Sequence, residues 1–401
     1  MSSNYRKLAK SNEIKILCAK LILFVIMPIV PVIWSVLDLK HKSSFVILFL
    51  YGTLIGYCFT LNEATGFDSL RYVEVFENIK VTFFFDFMSW ISGESDVRDF
   101  YLHILSYVVS IFSSSYHLLF MAAAIFFSLF SLSTLKMVVN QDEYQSGFVC
   151  SCIVFLLLMS NSIININGFR FWTACWYVVW CVFNTFIKGK RCYFFLILIS
   201  PFFHSSMFVF IVLSLIFVLT RNRVKMWKTL SIMSIFISSV SIILFQNISD
   251  FLPSALQSTI NFYTDAEYIA ERGSGTGWTW VENLFRTFSM FFLMYSLIVV
   301  GRDEYQNRLS SNQKKLYVFA LCLLSFANFT TSIPSLGGRF IVMVYPFVAY
   351  FLIKYSKEMK IRRLCKLIPI VMSFQTLLIF RDMYMQLLPS KFFISSLLFL
   401  I

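Results

Sequence analysis

The chain has 401 residues, of which 58% are hydrophobic and 14% are charged. This composition excludes an ordinary soluble domain and indicates a polytopic membrane protein. The net charge of +13 has to be placed along the chain before it is interpreted, because basic residues also mark the cytoplasmic ends of membrane spans.

Many apolar runs of about 20 residues predict helices that cross a bilayer. Lipid cannot satisfy free backbone polar groups, so we expect an all-α bundle of about 10–13 transmembrane helices, forming a single domain over 1–401. Two outer segments are expected within that domain: an acidic one at 62–99 and a loop at 247–279.

Basic residues are concentrated between the apolar runs. Five segments together carry 18 Lys or Arg against five Asp or Glu: 136–146, 188–191, 221–228, 301–315 and 354–366. Segment 62–99 has the opposite balance, with three basic and eight acidic residues. This segregation is the positive-inside pattern, so the five basic segments are predicted to be cytoplasmic and no nucleic-acid partner is expected.

The first apolar run, 14–37, is too long for a cleavable signal peptide. If 62–99 is outside, the span at 45–61 runs outward and the residues directly before it are inside. The basic residues before residue 14 would then lie outside, unless 14–37 does not cross the membrane. Pro28 and Pro31 permit such a re-entrant segment. The orientation of the N-terminus therefore stays open.

The outer stretch "NEATGFDSLRYVEVF" (62–76) carries Asp68 and Tyr72, which are spaced to share one helix face. Composition alone favours a solvated amphipathic helix on the membrane surface over a functional role. Glu94, in "SGESDVRDF", has the same two readings, and 100–112 is predicted to be a second surface helix.

Arg170 is the only charged residue between Glu143 and Lys188. Spans predicted at about 116–135, 147–164 and 169–187 place it at the outer end of its helix, after a turn at Gly168. The free amides of a helix N-terminus add positive potential there.

The apolar stretch 192–219 lies between two basic segments and is too short for two full spans. We therefore predict a helical hairpin that is broken at Ser200-Pro201 and enters the membrane without crossing it. His204 lies at its tip, where it is a candidate proton carrier or a packing residue that bonds to the neighbouring serines.

Further spans are predicted at about 229–246, 280–300, 316–333, 340–354 and 365–380. The outer loop before 280 contains "RGSGTGWTW", whose Trp278 and Trp280 are typical of interface aromatics or sugar-stacking platforms. The string has no Walker lysine and is not expected to bind a nucleotide.

Three arginines, Arg170, Arg286 and Arg339, are predicted to lie at the outer side of separate spans. Each could be an interfacial anchor paired with a local acid such as Glu282. Three on the side where basic residues are disfavoured indicate a function, and a guanidinium binds phosphate bidentately. A membrane-embedded anion such as a lipid pyrophosphate is the natural ligand.

The nine cysteines have neither CxxC nor zinc-finger spacing, so we interpret them as small buried hydrophobes. No metal and no cofactor is expected.

Four motifs together resemble the EpsG-like group of Wzy-type polysaccharide (O-antigen) polymerases, over roughly residues 45–355: "GFDSLRYVEVF", "NGFRFW", "FFHSS" and "GGRF". One departure is that the family commonly has Arg-Gln at the second motif, where this chain has Phe171 after Arg170. The resemblance implies a GT-C-type glycosyltransferase of the bacterial inner membrane, with its active site facing the periplasm.

Such enzymes transfer a glycan from undecaprenyl pyrophosphate to a hydroxyl of a lipid-linked acceptor. The resemblance implies that the three arginines bind the pyrophosphate without a metal. His204, preferred, or Asp68 would be the general base, and Tyr72, Glu94 and Trp278 would contact sugar. Membrane lipids and a chain-length regulator protein are the further partners expected.

Two other functions stay open. An O-antigen ligase would transfer the same kind of glycan to lipid A core, and a large charged outer loop would favour it. The loop at 247–279 is only moderate in length. A lipid-linked oligosaccharide flippase should show repeat symmetry or cationic residues in both leaflets, and neither is evident.

Overall fold

The computed structural model describes residues 2–61, 67–79, 100–220, 223–251, 254–273, 279–333 and 336–387. Their regular elements are helices, accompanied by one isolated β-bridge between Phe59 and Leu387. This confirms the prediction of an all-α polytopic membrane protein.

The helices follow one another in short steps along the chain. They are α1 Ser2–Ile26, α2 Ile29–Leu37, α3 Lys42–Tyr57, α4 Phe67–Asn78, α5 Tyr101–Ser110, α6 Tyr116–Val139, α7 Phe148–Ser160, α8 Phe169–Phe186, α9 Cys192–Leu196, α10 Ser200–Phe203, α11 Phe208–Thr220, α12 Val224–Phe236, α13 Val240–Ser249, α14 Ser254–Thr264, α15 Ala266–Gly273, α16 Thr279–Val300, α17 Asp303–Gln306, α18 Ser311–Phe329, α19 Gly337–Val342, α20 Tyr345–Lys354, α21 Met359–Cys365, α22 Ile368–Val371 and α23 Ser373–Gln386. Short 3-10 turns cover Ile163–Gly168, Ile197–Ile199 and Ser205–Met207.

Within the described residues, five helical segments are long and apolar enough to cross a membrane: Tyr116–Val139, Phe148–Phe186, Asn283–Val300, Gly337–Lys354 and Met359–Met385. Helices α12 and α13 form a bent pair, which would be a sixth such segment if the pair counts as one span. Four shorter apolar segments fall below this length: Lys42–Tyr57, Tyr101–Ser110, Cys192–Phe203 and Ser205–Thr220. The sequence-based number of 10–13 therefore exceeds the number of long apolar helices.

The chain folds back on itself between α7 and α8. The side chain of Asn161 donates to the carbonyl of Trp172 at 3.2 Å, and the indole of Trp176 donates to the carbonyl of Asn161 at 3.2 Å. A continuous helix would separate these residues by about 16–22 Å. The 3-10 turn over 163–168 thus places the start of α8 at one end of the bundle.

The span predicted at about 229–246 is a bent pair of helices. Helices α12 and α13 meet at an angle of 95° around residues 237–239. Ser238 at the bend accepts a hydrogen bond from Ser332 at 2.9 Å, and Asn328 donates to the carbonyl of Ser231 at 2.9 Å. These bonds hold α12 along α18 and leave α13 running across its direction.

The stretch 192–219, predicted to be a hairpin, lies in two short helical arms whose Phe194 and Phe217 rings are 6.4 Å apart, but its break is not at Ser200-Pro201. Pro201 lies in the first turn of α10, where a missing N–H costs nothing and the fixed φ suits a helix. The chain leaves the helical conformation at His204, which has φ −159° and ψ 129°.

The five basic segments meet at one end of the bundle. Lys354 pairs with Glu143 at 2.7 Å and Arg308 pairs with Glu358 at 2.6 Å. Lys228 donates to the carbonyl of Gly301, and a Cβ at Gly189 would lie 3.9 Å from the side-chain amide of Asn312. The five basic segments, which the charge pattern predicted to lie on the same side of the membrane, therefore lie together at one end of the bundle.

Helix α3 packs closely against α6 through a small-residue motif, Gly52-Thr-Leu-Ile-Gly56. A Cβ at Gly56 would lie 2.5 Å from the Cβ of Ala124 and 2.6 Å from the carbonyl oxygen of Phe120. Glycine at this position is therefore what allows the two helices to approach.

We expect Gly56→Ala to lower the free energy of unfolding by about 1–3 kcal/mol, because the added methyl group would force α3 away from α6. The thermal unfolding midpoint of the purified protein in detergent measures this. Gly147→Ala is the matched control, because a Cβ there meets nothing within 4 Å. Equal midpoints for the two variants would contradict the prediction.

Candidate functional site

The start of α8 carries the first arginine of the candidate site. The guanidinium carbon of Arg170 lies 4.8 Å from the ring centroid of Tyr72, which is buried on α4. The neighbouring Phe169 contacts the same tyrosine, with ring centroids 4.7 Å apart. Two predicted site residues that are 98 positions apart in the chain are therefore in contact.

Phe171 joins the second arginine to the hairpin. The guanidinium carbon of Arg339, on the short helix α19, lies 5.4 Å from the centre of the Phe171 ring. The imidazole of His204 contacts the same ring edge to face, with centroids 5.4 Å apart and planes at 87°. A single apolar side chain thus contacts both Arg339 and His204.

Arg286, on α16, completes the group. A Cβ built at Gly338 would lie 2.9 Å from its guanidinium carbon, so the guanidinium packs directly over the backbone beside Arg339. The three arginines predicted to converge are therefore neighbours. That they bind a pyrophosphate stays a prediction.

His204 is fixed by the turn that ends the first arm of the hairpin. Its Nδ1 accepts the backbone N–H of Ser206 at 3.2 Å and lies 2.8 Å from the hydroxyl of the same serine. Burial lowers the pKa of the imidazole below its ordinary value, and the charges of Arg170 and Arg339 lower it further. The neutral ring is therefore the favoured form.

Aromatic contacts hold α5 against the site. Tyr101 packs on Phe169 and Phe203 with centroid distances of 5.8 and 4.8 Å, and the amide of Phe100 donates to the carbonyl of Phe202 at 3.2 Å. The helix predicted at 100–112 is present as α5, which packs against the site with six of its ten residues buried: Tyr101, Leu102, His103, Leu105, Ser106 and Val109.

The remaining predicted residues are less closely placed. Asp68 is exposed in the first turn of α4, one turn before Tyr72. Glu94, Trp278 and the side chain of Glu282 lie outside the described residues. Trp280 is exposed on α16, as an interface aromatic would be.

Sequence reasoning missed three residues that shape the site. In the sequence, Phe171 stands out only as a departure from the family motif, Ser206 only as a neighbour of His204, and Gly338 only as part of the motif "GGRF". Apart from the spacing of Ser206 from His204, no local signal could have shown their contacts, because Phe171 and Arg339 are 168 positions apart.

The site lies at the end of the bundle opposite the basic segments. Helix α8 has 18 residues, so Arg170 at its start is about 25 Å from the loop that carries Lys188. Three guanidinium groups and an imidazole therefore lie at this end, and that they form an anion site stays a prediction. Among the described residues, no three His, Cys, Asp or Glu side chains come together as a metal site.

Residues 44–394, nearly the whole chain, match the model of the EpsG family. No curated protein and no solved structure shows significant similarity to the chain.

We expect Gly338→Ala to disturb the site without unfolding the protein, because its Cβ would meet the flexible end of Arg286. The thermal midpoint in detergent should change little, whereas the stabilisation by millimolar inorganic pyrophosphate should shrink.

Gly337→Ala is the contrasting variant. Its Cβ would lie 2.6 Å from the backbone Cα of Thr331, which cannot move independently, so the midpoint itself should fall. A pyrophosphate response in Gly338→Ala equal to that of the wild type would show that the placement of Arg286 does not matter for anion binding.

Proposed function

Because this chain belongs to the EpsG family of Wzy-like polysaccharide polymerases, we propose that it joins undecaprenyl-pyrophosphate-linked oligosaccharide repeat units into a surface polysaccharide such as O-antigen. The observation that carries the proposal is the proximity of the three arginines. Arg170 and Arg339 both act electrostatically on His204, and Arg286 packs over Gly338, next to Arg339. A family of polymerases that use a lipid pyrophosphate donor needs an anion site of this kind.

In this reaction the bond between the anomeric carbon of the donor glycan and the pyrophosphate oxygen breaks. A hydroxyl oxygen of the acceptor sugar forms the new bond to that carbon. Negative charge develops on the departing pyrophosphate, and arginines stabilise it because they stay protonated and donate two parallel hydrogen bonds. Arg170, Arg286 and Arg339 are assigned to this role.

The acceptor hydroxyl loses its proton as it attacks, and His204 and Asp68 are the two groups considered for this step. Tyr72 is a candidate sugar contact because it is next to Arg170. Glu94 and Trp278 are also proposed to contact sugar, on the basis of the sequence.

The proposed location is the inner membrane of a bacterium, with the arginine site facing the periplasm. The opposite end of the bundle carries the basic segments, and positive residues are typical of cytoplasmic loops. The proposed partners are the lipid-linked donor and acceptor, membrane lipids and a chain-length regulator protein.

We expect Arg170→Ala and Arg339→Ala, each expressed in a strain that lacks the gene, to abolish long polysaccharide chains. Loss of a donor to the developing oxyanion slows such a reaction by about 10²–10³-fold. Electrophoretic separation of the surface polysaccharide by chain length measures this, and material with one repeat unit should remain.

Arg381→Ala is the matched control, since Arg381 is exposed and pairs with the adjacent Asp382 at 2.7 Å. Loss of all repeat-unit material in the site variants would instead indicate a ligase or a flippase. Wild-type ladders from both site variants would refute the assignment of the site.

A further inference from the structure

The hydrogen bonds of His204 determine which of its ring nitrogens carries the proton. A backbone N–H can only donate, and the amide of Ser206 lies 3.2 Å from Nδ1. Nδ1 therefore presents its lone pair to that amide, and the Ser206 hydroxyl lies 2.8 Å from the same nitrogen. In the neutral imidazole the proton must then be on Nε2.

The electrostatic surroundings keep the ring in this neutral form. The charged groups that act on it are Arg170, from α8, and Arg339, from α19. Phe171, which contacts the ring edge to face, supplies no proton acceptor. Because a second proton on Nδ1 would break the bond from the Ser206 amide and add a third positive charge, the imidazole is poorly suited to accept one.

We propose that His204 is a hydrogen-bond donor to the departing pyrophosphate, through Nε2–H, and not the general base of the reaction. This inference rests on the proposed function and refines it. The imidazole is half-buried and Nδ1 is occupied by Ser206, so Nε2 is the nitrogen available to a ligand. The donor thus adds a neutral hydrogen bond to those of the two arginines beside it.

The reaction stays balanced without a proton on His204. The bond between the anomeric carbon and the pyrophosphate oxygen breaks and leaves its electron pair on that oxygen, which accepts the Nε2–H hydrogen bond. The acceptor oxygen bonds to the anomeric carbon, and its proton passes to a carboxylate. Asp68 is the group assigned to this step, on the helix that carries Tyr72.

Two substitutions separate the functions of the two ring nitrogens. His204→Gln places an amide N–H where Nε2 is, and so keeps a donor that cannot take up a proton. His204→Asn places an amide oxygen where Nδ1 is, and so keeps the bond from Ser206 but removes the donor. Asparagine also caps helix starts well, so this variant should fold.

The measurement is the initial rate at which long chains appear after induced expression in the strain that lacks the gene, normalised to the protein in the membrane. We expect His204→Gln to keep the rate within about tenfold of the wild type. His204→Asn and His204→Ala should lose about 100-fold or more. His41→Gln, at a half-buried histidine directly before α3 and outside the candidate site, is the control for the substitution itself.

Two results would overturn the inference. If His204→Gln is as slow as His204→Ala, the histidine transfers a proton. If His204→Asn keeps the wild-type rate, the histidine only caps the turn. Normal rates in Arg170→Ala and Arg339→Ala, measured in parallel, would instead overturn the proposed function.

Discussion

The ring of Phe171 holds the candidate site together, because the guanidinium of Arg339 lies on it and the imidazole of His204 meets it edge to face. A cation on an aromatic face is stabilised by about 0.5–2 kcal/mol, according to its exposure. The ring contributes no negative charge and accepts no conventional hydrogen bond, so the donors of Arg339 remain available to a ligand. Arg170 has a comparable contact with Tyr72.

Positively charged side chains have different contacts at the two ends of the bundle. At the end with the basic segments, Lys354 and Arg308 pair with carboxylates, which neutralises part of the charge and ties loops together. At the other end, Arg170 and Arg339 lie on aromatic rings. The first arrangement ties loops together, and the second places guanidinium groups on aromatic faces beside His204.

Helix breaks explain most of the differences between the predicted and the observed spans. Pro201 appeared to be a break because proline lacks an N–H, but it lies in a first turn where none is needed. The 95° bend between α12 and α13 has no proline or glycine within it, since residues 237–239 are Ile-Ser-Ser. It is stabilised by a hydrogen bond between Ser238 and Ser332, a contact that the local sequence does not encode.

The sequence by itself determined the helical membrane class, the grouping of the basic loops at one end and the three arginines that converge. Composition and charge segregation are properties of short stretches of the chain, so the sequence shows them without a structure. Only the tertiary structure decided that Phe171 lies between Arg339 and His204, and that the amide of Ser206 fixes the proton of His204 on Nε2. The first contact joins distant parts of the chain, and the second depends on the extended conformation at His204, so neither has a pattern in sequence.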